Sequence, residues 1–197
     1  MGTTKVSLLH IGKTGGTFLQ NMIRAQETDN SHITFLGHRN KLSEDVSGKF
    51  AFVFREPTER FVSGFQSRLR MGRPRLNNMW STNDAIAFLY FKTPNELAEA
   101  LGSEDDRTKS AAHFAMNSIV HLKCNYTYTF GSIDQFVERL DELVAITDLR
   151  DLDHTVLGFL EGIGIEHPQI IPDLERHAAL APVHGLSDLA RKNLQEF

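Results

Sequence analysis

The chain has 197 residues, enough for one domain with a sizeable core and marginal for two. Apolar residues make up 41% and charged residues 23%, ordinary proportions for a globular protein, and no apolar run approaches the ~18 residues of a membrane span. With 21 basic against 25 acidic residues the net charge is −4, which argues against a nucleic-acid partner but allows an anion in a local basic cleft.

In chain order, residues 6–11 form a short aliphatic run closed by a glycine loop and read as a buried strand. His10 and Lys13 interrupt the run, so it lacks the apolar h-region of a signal peptide, and Val6 stands where a myristoylation signal needs Ser or Thr. Phe18, Leu19, Met22 and Ile23 recur at helical spacing, which predicts a helix over 17–26. Residues 32–36 and 49–54 are further strand candidates. A helix is expected over 56–71, with Pro57 in its first turn and Phe61, Phe65 and Leu69 as its buried stripe.

Short helices are expected over 83–91 and 95–102, a polar loop over 103–109 and a helix over 111–121. Leu122 and Tyr126 flank the lone Cys124 as in a buried strand, making it a core thiol that forms no intramolecular disulfide; this suits a reducing, cytoplasmic setting. The Tyr-Thr-Tyr-Thr-Phe alternation over 126–130 predicts a strand, and helices are expected over 132–143 and 151–163. The Pro-rich stretch 166–182 reads as an extended surface segment, and the chain ends in what reads as a helix. Alternating strands and helices imply one α/β domain with a mostly parallel sheet covered on both faces.

The loop His10-Ile11-Gly12-Lys13-Thr14-Gly15-Gly16-Thr17 lies between a strand and a helix. Such a loop suits a phosphate: glycines let the backbone approach closely, and the helix N-terminus offers N–H groups and positive dipole charge. Lys13 adds a full charge, and Thr14 and Thr17 add hydroxyls. Gly12-Lys13-Thr14 matches the tail of a Walker A loop, but the glycine required five positions before Gly12 is replaced by Ser7. No acid is seen to end a neighbouring apolar strand either. The best such strand ends in Arg55, whose planar fork suits a second phosphate bound without metal.

The two stretches together, HIGKTGGTFL over 10–19 and FVFREPTERFVSGF over 52–65, resemble the PAPS-dependent sulfotransferase family, in particular its carbohydrate O-sulfotransferase branch with bacterial relatives. The resemblance is strong over 5–66 and thinner beyond, and members often continue past the point where this chain ends. It implies a P-loop-like sulfotransferase fold. It also implies a donor, 3′-phosphoadenosine 5′-phosphosulfate (PAPS), with PAP as product and no metal. Lys13, Thr14, Gly15, Gly16, Thr17 and Phe18 are carried to the 5′-phosphosulfate site, and Arg55 and Ser63 to the 3′-phosphate site. Gly12 departs from the proline common before the lysine, and Glu56 from an aspartate often found after the arginine.

Lys13 is the expected stabiliser of the leaving phosphate, and His38, in Phe35-Leu36-Gly37-His38, resembles a Gly-His motif and is the favoured base. Glu56 and His113 are its rivals. Arg68, Arg70, Arg73 and Arg75 either hold an anionic ligand or form a solvated basic loop, and Trp80 either stacks an acceptor or serves as core. The histidines show no metal-ligand spacing. The expected acceptor, by family branch alone, is a carbohydrate. A P-loop kinase and a non-catalytic PAP(S)-binding protein of the same fold are the alternatives.

Overall fold

The computed structural model describes residues 4–74, 76–171 and 185–197. Residues 1–3, Arg75 and most of the 166–182 stretch lie outside them. The chain divides into two compact units, Met1–Glu56 with Cys124–Ala178, and Pro57–Lys123 with Ala179–Phe197.

The first unit is built on four parallel strands, β1 (Val6–Leu9), β2 (Ile33–Phe35), β3 (Lys49–Phe54) and β4 (Leu143–Asp148), in the order β2-β1-β3-β4. Leu8 lies opposite Phe35 of β2 and Ala51 of β3, and Phe54 opposite Asp148 of β4. Side chains alternate across the sheet, so β3 feeds two cores. Ala51 and Val53 join Val6 and Leu8 on one face, under α1 (Gly16–Arg24) and α10 (Leu152–Gly162). Phe50 and Phe52 join Leu9 on the other, where Leu42 of α2 (Leu42–Asp45) packs with rings from α8 (Tyr126–Phe130) and α9 (Ile133–Val137). Helices thus flank a wholly parallel sheet, as the alternation of elements predicts.

Three expectations fail in the stretch after Cys124. Residues 126–130 are the helix α8, not a strand: the Asn125 side chain accepts from the Tyr128 amide at 2.9 Å and caps it. Tyr126 and Phe130 then stack at helical spacing, 6.2 Å between centroids. Cys124 is buried, but it precedes α8 rather than lying in a strand. The helix expected over 132–143 stops at Val137, where a 3-10 turn (Leu140–Glu142) leads into β4. The strand β4 was not expected from the sequence, because a six-residue apolar run separates poorly from a helix end by periodicity.

The second unit is helical: α3 (Pro57–Leu69), α4 (Thr82–Tyr90), α5 (Pro94–Ala100), α6 (Asp106–Ser118), α7 (Val120–Lys123) and α11 (Asp188–Glu196). Ser81, Thr93 and Ser187 cap α4, α5 and α11 through their hydroxyls. The polar stretch expected as a loop holds the start of α6, capped by Asp105 onto Thr108. The helix expected over 111–121 breaks at Ile119 between α6 and α7. Phe61 and Phe65 sit in the unit's core as predicted, with Leu69 at its margin.

The arginines at and beyond the end of α3 make local hydrogen bonds where described. Arg68 donates to the carbonyls of Asn78 and Met79 and to Asp84 Oδ2, each at 2.7 Å. Burial favours the neutral form of Asp84, but the hydrogen bonds from Arg68 and Ser81 outweigh it and hold its carboxyl below the ordinary value. Arg73 donates to Asn77, and Arg70 to the Arg73 carbonyl. Trp80 packs on Phe88 and donates to the Arg68 carbonyl, so its polar edge is committed to this loop.

Phe52 is 2% exposed and meets Phe130 at 4.8 Å between ring centroids. Phe52→Ala is expected to cost about 3–5 kcal/mol of unfolding free energy, measured by urea titration followed by circular dichroism; a loss below 1 kcal/mol contradicts this core assignment.

Candidate functional site

In a parallel sheet all strands end on one side, and the loops leaving neighbouring strands in opposite directions open a crevice there. The order β2-β1-β3-β4 puts that point between β1 and β3, since β1 connects outward to β2 and β3 lies on its other side. The loop Gly12–Gly15 leaves β1 there, and Arg55 leaves β3. Arg55 Nη1 donates to the Lys13 carbonyl at 3.2 Å and bridges the two.

The loop has an unusual backbone. Lys13 takes a left-handed conformation (φ 72°), which is uncommon for a residue with a Cβ and typical of functional turns. Gly15, at φ 86°, is the N-cap of α1, and a Cβ there would lie 2.5 Å from Leu149 Cδ1. The cap therefore supplies no side-chain acceptor, and the first turn of α1 contains no acid. The positive end of its dipole therefore faces no acidic side chain of its own turn. Phe18 follows in the first turn of α1, with its side chain buried in the sheet core. Thr14 is also buried, and its hydroxyl donates to the Ile11 carbonyl at 2.9 Å, so its one proton closes the loop. Thr17 lies half-buried in the first turn.

His38 comes after β2 and reaches the end of β1. Its Nδ1 lies 3.0 Å from the His10 carbonyl, and the two imidazoles sit 4.1 Å apart between centroids. A carbonyl can only accept, so Nδ1 carries the proton and the lone pair of neutral His38 is on Nε2. His10, present in the loop sequence but given no role there, is the surprise of the site. Gln20 of α1 donates to its Nδ1 at 3.4 Å, and its ring covers Gly16 so closely that a Cβ would lie 2.3 Å from Cδ2. Burial first, then the charges of His38 and Lys13, push His10 down to about 4.

Two further residues were invisible to motif reading. Tyr126 Oη accepts from the Arg55 amide at 2.8 Å and donates to the Arg55 carbonyl at 2.6 Å, clamping the backbone that carries the guanidinium. Its partner lies 71 positions away, so no local signal marks it. Asp148 ends β4 beside β3, and Arg150 forks onto both its oxygens, at 2.7 Å to Oδ2. Hydrogen bonds from Arg150 hold the carboxyl below its usual range, and the charge of Arg55 adds to this. An acid therefore does end an apolar strand next to β3, which corrects the expectation that none would. It is paired with Arg150 and stands two strands from the Lys13 loop.

The first unit thus gathers Lys13, Thr14, Gly15, Gly16, Thr17, His38 and Arg55 at the strand ends, and Glu56 sits half-buried next to Arg55. Ser63 is half-buried on α3 and belongs to the second unit, as does His113, whose ring meets Phe197. Among the described residues no group of three or more His, Cys, Asp or Glu side chains is placed to hold a metal, and no helix is long and apolar enough to cross a membrane. No family model matches the chain, and neither the curated proteins nor the solved structures include a match.

The depressed His10 makes stability pH-dependent. Between its folded value near 4 and the ordinary value near 6.5 the unfolded chain binds the extra proton, so stability is full above 6.5 and falls as pH drops. The full span is worth roughly 3 kcal/mol. His10→Gln is expected to flatten the loss between pH 7 and 4.5 in urea titrations; an equally steep loss in the variant contradicts the assignment.

Proposed function

We propose that the crevice between β1 and β3 binds a nucleotide with two phosphate groups and that the protein is a PAPS-dependent sulfotransferase. The observation that carries this reading is the bridge from Arg55 Nη1 to the Lys13 carbonyl, which couples two separate phosphate-type binding elements at a topological switch point. The donor set fits: an uncapped helix N-terminus, a lysine, and a guanidinium anchored by Tyr126. The resemblance of residues 10–19 and 52–65 to the family supplies the identity of the nucleotide.

On this reading the bound nucleotide supplies a sulfuryl group activated on its 5′-phosphate. Lys13 and the first turn of α1 hold that end and stabilise the charge that develops as it leaves. Arg55 holds the 3′-phosphate. His38 takes the acceptor proton at Nε2, the nitrogen its bond to the His10 carbonyl leaves unprotonated. The acceptor is proposed to be a carbohydrate hydroxyl.

A magnesium-dependent kinase is the competing enzyme class, favoured by the Gly12-Lys13-Thr14 tail and by Asp148 at the end of β4. The pairing of Asp148 with Arg150 and the absent Walker spacing weigh against metal binding there. A non-catalytic nucleotide-binding protein is the reading if donor binds and nothing is sulfated.

Calorimetric titration with PAP separates these. Wild type is expected to bind PAP without magnesium, and Lys13→Ala and Arg55→Ala each to weaken it by about tenfold or more, the loss of a charge-assisted contact of 1.5–3 kcal/mol. Binding of ATP only with magnesium, or unchanged PAP affinity in both variants, overturns the reading. His38→Ala is expected to keep PAP affinity and lose at least about 99% of sulfuryl transfer in an acceptor screen with labelled PAPS, the usual scale for a lost general base. Transfer at the wild-type rate removes His38 as base.

A further inference from the structure

His10 has no assigned task in the proposed reaction, yet it occupies the centre of the site. Its ring lies over Gly16, the first residue of α1, with a Cβ there only 2.8 Å from Nε2. That edge therefore borders the helix end proposed to hold the 5′-phosphosulfate. Gln20 donates to Nδ1, so the neutral ring carries its proton on Nε2. The ionisable groups facing it are His38, from the segment after β2, and Lys13, from its own loop. From α1 come only the uncharged Gln20 and the positive end of the dipole. All of these disfavour an imidazolium while the site holds no anion.

We propose that His10 is a third cationic ligand of the anion site, neutral when the loop is empty and protonated when the loop holds a phosphate or sulfuryl group. The inference rests on the nucleotide reading above and deepens it by making donor binding proton-linked. An incoming dianion reverses the sign of the local field and favours the charged ring, so a proton is taken from solvent as the anion docks. Gln20 is suited to both states. Its amide nitrogen serves the neutral ring, and a half-turn of the amide presents its oxygen to a protonated Nδ1. A leucine serves neither state.

The test is calorimetry of PAP binding at pH 5.5 and pH 8 in buffers of different ionisation enthalpy, with inorganic pyrophosphate as a second probe. Wild type is expected to take up about half a proton or more at pH 5.5 and close to none at pH 8. His10→Asn is expected to bind with less than half that uptake, and His38→Asn to keep it. Gln20→Glu supplies an anion to Nδ1, charges the ring in advance, and is expected to bind at least as tightly with the uptake abolished.

PAP binding by wild type with no uptake at pH 5.5 overturns the inference and leaves the nucleotide reading standing. Full uptake in His10→Asn reassigns the proton and overturns it as well. Pyrophosphate binding with uptake, without PAP binding, removes the nucleotide reading alone. Binding of neither anion removes both.

Discussion

Four parallel strands ending on one side of a sheet concentrate the residues just beyond their C-terminal ends, and in this protein those residues are mostly basic. β1 leads into His10 and the Lys13 loop, β2 into His38, and β3 into Arg55. The acid that ends β4, Asp148, is paired with Arg150. The contact between Arg55 and the Lys13 carbonyl depends on β1 and β3 being neighbours in register, Leu9 opposite Phe52. That register is set by two apolar faces of β3 that cannot exchange: a slip of one residue sends Phe50 and Phe52 to the side of α1 and α10. Core packing therefore holds the geometry of the loops.

Electrostatic tension is the second consequence. Burial and like charge keep His10 neutral, and the same crowding of basic groups makes the crevice receptive to an anion. The left-handed backbone at Lys13 and the start of α1 without a side-chain cap belong to the same loop, and on the proposed reading an anion complements that helix end. Thr14 and Tyr126 act differently. They satisfy backbone groups within the site, one closing the loop onto Ile11 and the other pairing both polar atoms of Arg55, so the charged side chains start from a fixed frame.

The sequence carried the elements with local signatures. The strands of residues 6–9 and 49–54, the amphipathic α1, and the helix bearing Phe61 and Phe65 are legible from spacing alone. The failures share one physical origin. Alternation of Tyr and Thr over five residues fits a strand or a helix, and the Asn125 cap with Tyr126–Phe130 stacking decided for the helix. The strand β4 is too short to declare a period, and its pairing with β3 decides it.

By itself, then, the sequence determined a glycine loop between strand and helix, a lysine in it, and an arginine after an apolar strand, because these are contiguous patterns with local physical meaning. Tertiary structure decided which of them meet. It placed β1 beside β3, set Arg55 against the Lys13 carbonyl, brought His38 to the end of β1 with its tautomer set by a backbone oxygen, and found Tyr126 for Arg55 across 71 positions. It also turned His10 from one letter of a motif into a half-buried ring packed on Gly16 beside His38 and Lys13. Burial and charge proximity are properties of packing, and no spacing along a chain records them.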